Sequence, residues 1–304
     1  MDDVSAMKHR SIQDRHFGEK RRRIQTAGSG ILLTSMRLIV IALALAFQVS
    51  AANSSGITMG HLHYHVQDVD AHIRFWAALG GVPMKLGALD VVKFPEVLVV
   101  LTKGASSGGT EGSVVNHVAF RVQSLAEIER AGLKVERLEQ FTGIGFVRTP
   151  EGERIELFDN TATNLTFTPD SGQPDDGAAR HNRPLQVPIA FHHIHLYLPE
   201  GAEAAARAWY ADTFGGIPGK RWNYHAVDLP GVNLNFSGNR SVQAPTKGRM
   251  LDHVGFAIRN LEAFCRRLEA RGLKCDVPLS KGPDGAATAW LTDPWGTSIE
   301  LTEG

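Results

Sequence analysis

Histidines open four short segments of this sequence, and two glutamates close two others. The histidine segments are His61-Leu62-His63-Tyr64-His65, His117-Val118-Ala119-Phe120-Arg121, His193-Ile194-His195-Leu196-Tyr197 and His253-Val254-Gly255-Phe256-Ala257. The glutamates are the centres of two Ile-Glu-Leu tripeptides, at Glu156 and Glu300. Side chains in a strand alternate between its two faces. In each segment the apolar residues take one face, so the histidines share the other. Ile155 and Leu157 send Glu156 to the face opposite their own, and Ile299 and Leu301 do the same for Glu300. Two imidazoles and a carboxylate meeting in one cavity suit Fe(II), Mn(II), Ni(II) or Zn(II). Three protein ligands leave positions open for substrate oxygens, where a metal can polarise a carbonyl, stabilise an enolate or bind O2.

The elements that must position these residues occur four times. The first module, residues 57–104, opens with the strand at His61. An amphipathic helix follows from Val69 to Leu79, with Ile73, Trp76 and Leu79 on one side. Gly80-Gly81-Val82-Pro83 ends that helix, and short strands follow. Residues 114–160 repeat the plan from His117, with a helix from Leu125 to Ala131. Residues 189–240 repeat the first module: Phe75-Trp76 and Gly80-Gly81 have counterparts in Trp209-Tyr210 and Gly215-Gly216. Residues 249–303 repeat the second, with a helix from Leu261 to Arg271.

The expected fold class is therefore α+β: four βαβββ modules paired into two domains, each a curved mixed sheet with helices on its outer face. The expected pairing joins sequence neighbours, residues 57–165 as one domain and 189–304 as the other. Residues 166–188, rich in Pro, Gly and Asp, read as the linker between them. On this pairing the first domain gathers His61, His117 and Glu156, and the second gathers His193, His253 and Glu300.

The chain has 304 residues, of which 43% are hydrophobic and 21% charged, enough for two globular domains. Its 32 basic and 32 acidic residues balance, which gives no electrostatic argument for a nucleic-acid partner. Two cysteines, Cys265 and Cys275, are too few for a disulfide framework or a cysteine metal site. Residues 1–35 lack periodicity and carry the basic run Lys20-Arg21-Arg22-Arg23. They read as a disordered tail, or as untranslated sequence before a start at Met36. Residues 36–52 combine a short positive start, the apolar run Leu38 to Phe47 and small residues ending in Ala51-Ala52. That pattern is a secretory signal peptide, with an apolar run too short to span a bilayer. The expected mature protein is periplasmic or secreted, without stable membrane insertion after cleavage. Export would place Cys265 and Cys275 in an oxidising compartment, where they could pair.

Over nearly all of residues 57–304 the sequence resembles the vicinal oxygen chelate superfamily: glyoxalase I, extradiol dioxygenases, fosfomycin-resistance proteins and bleomycin-binding proteins. The resemblance rests on the opening histidine strand with its acidic turn at Asp68 and on the Gly-Gly pair after the first helix. The Asp293-Pro294-Trp295-Gly296 turn and the two Ile-Glu-Leu strands complete it. It implies His61, His117, Glu156, His193, His253 and Glu300 as metal ligands. Glyoxalase I has a further glutamate ligand, whose place here falls near Val99-Val100-Leu101 and Leu234-Asn235, without a carboxylate. That difference favours a dioxygenase-like set of three ligands. His65 and His195 are candidate proton shuttles, Tyr197 a hydrogen-bond donor and Arg121 a carboxylate clamp. The expected function is an exported, divalent-metal-dependent enzyme acting on a small molecule with vicinal oxygens, by dioxygenase-like or glyoxalase/lyase-like chemistry. The alternative is a metal-free protein that binds an aromatic compound or antibiotic. Either could act as a monomer or a homodimer.

Overall fold

A computed structural model describes residues 51–172, 180–282 and 285–304. The tail at 1–35 and all of the expected signal peptide but Ala51 and Ala52 lie outside the described residues. The first module comprises β1 (Ile57–Val66), α1 (Val69–Ala78), β2 (Val82–Leu86), β3 (Leu89–Phe94) and β4 (Val97–Lys103). Strand β1 buries Leu62, Tyr64 and Val66, while His61, His63 and His65 between them are less buried. Helix α1 starts at Asp68, whose carboxylate accepts the Ala71 N–H at 2.8 Å, and it buries Phe75 and Trp76. The second module comprises β5 (Val115–Val122), α2 (Leu125–Arg130), β6 (Glu136–Arg137), β7 (Ile144–Arg148) and β8 (Arg154–Phe158). A short strand β9 (Phe167–Pro169) precedes the third module: β10 (Ile189–Pro199), α3 (Glu203–Phe214), β11 (Ile217–Arg221), β12 (Tyr224–Leu229) and β13 (Val232–Asn239). The fourth comprises β14 (Leu251–Ile258), α4 (Leu261–Ala270), β15 (Val277–Lys281), β16 (Ala287–Thr292) and β17 (Ser298–Glu303).

The modules pair differently from the expected order. One sheet runs β15-β16-β17-β14-β1-β4-β3-β2 and joins the first module to the fourth. The other runs β6-β7-β8-β5-β10-β13-β12-β11-β9 and joins the second to the third. The seams are the antiparallel pairs β1–β14 and β5–β10. Residues 57–165 are therefore divided between two sheets, and the stretch read as a linker ties together two modules of one sheet. Its β9 even adds an edge strand to β11. The reason is that all four opening strands carry the same alternating apolar face. Alternation fixes which face is buried but leaves the partner open, and contacts between distant segments decide it.

Four β-bulges interrupt the seams, and each lies beside a histidine. In the β1–β14 pair, Met59 faces Phe256 and His61 faces Gly255, so Gly60 is an extra residue; His63 faces His253 and Tyr64 faces Leu251, so Asp252 is another. In the β10–β5 pair the extra residues are His192 and Asn116 by the same count. A bulge breaks the two-residue alternation and re-aims nearby side chains.

The apolar sides of both sheets share one core. Trp76 of α1 lies 5.9 Å from Phe120 of the other sheet, ring centre to ring centre. Phe214 of α3 lies 4.9 Å from Phe256 across the opposite pair. Cys265 of α4 and Cys275 beyond it are both free thiols.

Candidate metal centres

Each seam builds one donor set. In the first sheet, His61 and His253 bring Nε2 to 3.0 Å and 3.2 Å from the same oxygen, Oε2 of Glu300. In the second, His117 and His193 bring Nε2 to 2.8 Å and 3.3 Å from Oε2 of Glu156. The trios drawn from sequence neighbours do not form: His61 is in the sheet without His117 and Glu156, and His193 in the sheet without His253 and Glu300. The six residues are nonetheless those predicted, with His61 and His193 exchanged between the sets. Parallel register explains the carboxylates, since Glu300 is level with Gly255 and Glu156 with Ala119.

A further imidazole joins each set. His63, His61 and His253 can bring ring nitrogens within 4.8 Å of one another, and so can His195, His193 and His117. Each added histidine faces the second ligand directly across the seam, as His63↔His253 and His195↔His117. Hydroxyls of the adjoining strand hold both: Thr102 Oγ1 lies 2.7 Å from His63 Nε2, and Ser237 Oγ 2.8 Å from His195 Nε2. His195, expected as a proton shuttle, thus belongs to the donor cluster, and His63 is a donor that the sequence reading did not assign.

The donors fit a divalent ion. Nε2 of His117, His193 and His253 are buried and have no hydrogen-bond partner, although a carboxylate oxygen lies close to each. They converge on their glutamates without the alignment of hydrogen bonds. Spacings of 2.8–3.3 Å are those of atoms sharing one ion at ligand distances of about 2.0–2.2 Å. Neutral imidazole is the ligating form, and burial favours it. Burial, reinforced by His253 and His61, pushes His63 down to about 3. Burial and Arg221 hold His193 well below the ordinary imidazole range, as burial and His117 do for His195. Glu300 stays ionised: burial would raise it, but the His253 and His61 imidazoles facing it outweigh burial and bring it down to about 2.

The bulge residues orient the ligands. Asp252 Oδ1 lies 2.6 Å from His253 Nδ1, and the same carboxylate accepts the Gly248 N–H at 2.6 Å through Oδ2. Asn116 Oδ1 lies 2.8 Å from His117 Nδ1. Gly60 leaves space, and so does Gly255 opposite His61, where a Cβ would lie 2.1 Å from the His61 ring. An aromatic ring packs edge-on against one histidine of each centre: Trp290, 4.6 Å from His253, and Phe146, 6.1 Å from His117, ring centre to ring centre.

The other predicted residues are less central. His65 sits further along β1, with Nδ1 3.9 Å from Asp252 Oδ2. Tyr197 packs against His195 at 5.3 Å, and Tyr224 does so at 4.9 Å. Arg121 is level with Phe158, beyond Glu156, and its buried Nε has no hydrogen-bond partner. A buried Arg221, held by Asn235 Oδ1 at 2.8 Å, brings positive charge to the second centre.

Four modules, two curved sheets and strand-borne histidine and glutamate donors define a protein of vicinal oxygen chelate architecture. The family model of the Glyoxalase/Bleomycin resistance protein/Dioxygenase superfamily matches residues 190–301. Among solved structures, the fold is similar to that of glyoxalase I from Zea mays, with 17% identity and a TM-score of 0.54, covering 81% of this chain and 92% of that one. It is equally similar to a Bacillus subtilis subsp. subtilis str. 168 protein provisionally assigned as a dioxygenase, with 14% identity and a TM-score of 0.55, covering 81% and 84%. At these identities the likeness establishes the fold alone. No curated protein sequence matches the chain.

Proposed function

We propose that the protein is an exported, divalent-metal-dependent enzyme that acts on a small molecule with vicinal oxygens. The observation that carries this reading is the set of buried, unpartnered Nε2 atoms converging on one carboxylate oxygen in each sheet. His61, His253 and Glu300 would hold one ion, with His63 beside them. His193, His117 and Glu156 would hold a second, with His195 beside them. When bound, the ion would polarise substrate oxygens and favour their deprotonated form.

Dioxygenase-like chemistry is the better match. Strand β4 places Leu98, Val100 and Thr102 level with His61, His63 and His65, and β13 places Asn233 and Asn235 level with His193 and His195. Neither strand offers a carboxylate at these positions, so each donor set carries one glutamate. The chain's own residues supply the rest. Thr102 and Ser237 hold the His63 and His195 rings, Trp290 and Phe146 would screen one side of each centre, and the part-exposed His65 would serve as a proton shuttle.

Elemental analysis of the anaerobically purified mature protein tests this reading. About two ions per chain are expected from the two donor sets, with one lost in Glu156→Ala and the other in Glu300→Ala. A protein with no bound or bindable divalent metal would leave only the binding-protein alternative, for which Glu300→Gln should not alter affinity for an aromatic ligand. Export is checked by cell fractionation and by an amino terminus near Ala52 or Asn53.

A further inference from the structure

The two centres have closely similar donors but different surroundings. Behind His193 a chain of buried groups runs away from the donor cluster. His193 Nδ1 lies 2.8 Å from His192 Nδ1, His192 Nε2 lies 2.9 Å from His181 Nδ1, and His181 Nε2 lies 2.9 Å from Asp228 Oδ1. His192 and His193 are sequence neighbours, which on a regular strand would point to opposite faces. They touch because His192 is the extra residue of the bulge. Asp228 ends the chain and is anchored by Asn233 Nδ2 at 3.0 Å and by Arg180. His181, His192, His193 and Asp228 are all at least nine-tenths buried.

The proton positions follow from the carboxylate end. An ionised carboxylate only accepts, so His181 Nε2 carries a proton and donates it to Asp228. Arg180 Nη2 also lies 3.1 Å from that nitrogen, but an unprotonated Nε2 would set a lone pair against the carboxylate. In a neutral ring His181 Nδ1 then accepts, so His192 Nε2 donates. His192 Nδ1 accepts in turn, so His193 Nδ1 donates. The lone pair of His193 is left on Nε2, the atom that faces Glu156.

Among the described residues the first centre has no such chain. Gly60 stands where the second has His192. Following the register from His61 through Leu98 leads to Lys93, where the second centre, through Asn233, has Asp228. We propose that His192, His181 and Asp228 are positioning residues that lock His193 in the Nδ1–H tautomer and so preorganise the second centre alone for metal. The proposal rests on the metal-centre reading above. Hydrogen-bond partners behind a ligating histidine fix its tautomer and ring orientation, and their loss typically weakens metal binding by about 10–100-fold.

The test uses the full chain, Zn(II) and a competing chromogenic chelator. In a Glu300→Ala background, where only the second centre is complete, Asp228→Asn and His192→Gly are each expected to weaken Zn(II) binding by about 10–100-fold. In a Glu156→Ala background the same substitutions should leave the affinity of the first centre unchanged. His192→Gly copies the residue found at Gly60 and stands in if Asp228→Asn fails to fold. Equal loss at both centres, or no loss at the second, overturns the proposal. Nitrogen-15 NMR of the metal-free chain reads the His193 tautomer directly: a proton on Nδ1 supports the lock and a proton on Nε2 overturns it. If the wild-type chain binds no Zn(II) at either centre, the metal reading fails and the NMR result alone decides the tautomer.

Discussion

At Gly255 a single methyl group would collide with the His61 ring. A Cβ there would lie 2.1 Å from the His61 ring, so the imidazole would have to swing off its line to Glu300. Gly255→Ala is expected to weaken metal binding at the first centre by at least about tenfold, on the scale set by a mispositioned ligand, and to leave the second centre intact. Competition titration in the Glu156→Ala background measures it. The buried imidazoles set a second property, acid sensitivity. His181 is pushed down to about 4 by burial and Arg180, His63 to about 3, and His192, His193 and His195 also lie well below their ordinary value of 6.5. Below pH 6.5 the unfolded chain binds protons that the folded chain refuses. Their contribution is complete above pH 6.5 and is lost as pH falls toward 4 and then 3. Glu300 adds to the loss between 4.5 and about 2, while His253, raised by Asp252 and Glu300 despite burial, acts in the opposite sense. Urea midpoints of the metal-free protein should fall steadily from pH 7 to pH 4, by up to ~1.4 kcal/mol per pH unit for each net proton taken up on unfolding. A flat profile would contradict the neutral imidazoles.

At the scale of elements, the bulges do what regular strands cannot. A straight β14 would send Asp252 and His253 to opposite faces. The bulge lets the carboxylate reach both His253 Nδ1 and the Gly248 N–H. Asp252→Ala should therefore weaken metal binding at the first centre by about 10–100-fold. Asp252→Asn keeps an acceptor oxygen, as Asn116 does for His117, and should recover most of the loss. Isothermal titration with Zn(II) in the Glu156→Ala background separates the two variants. A centre indifferent to Asp252→Ala would mean that packing, not the hydrogen bond, orients His253.

Across the whole molecule, each centre takes ligands from both halves of the chain. His61 comes from the first module and His253 and Glu300 from the last, while His117 and Glu156 come from the second and His193 from the third. The two sheets also share one core through Trp76 and Phe120 and through Phe214 and Phe256. Neither half should therefore bind metal when residues 51–165 and 189–304 are produced separately, and mixing them should restore binding. Metal analysis of the halves, alone and mixed, checks this. Half-chains that each bind an ion unaided would show that sequence neighbours can pair after all.

Much of this protein was legible without coordinates. Period-two alternation placed His61, His117, His193, His253, Glu156 and Glu300 on the face away from the helices, and the fourfold recurrence established the α+β modules. Both are local properties, carried by residues a few positions apart. Which module meets which was not legible, because four strands with the same apolar face are equally good partners by pattern alone. The bulges were not legible either, since one extra residue leaves no mark on composition or periodicity, and so Asp252, Asn116 and His192 went unassigned. His63 went unassigned because its place opposite His253 depends on the unforeseen β1–β14 pairing. The sequence by itself determined which side chains could serve as ligands and which face they share. Only the tertiary structure decided which of them meet, because strand pairing and bulge placement are settled by contacts between residues far apart in the chain.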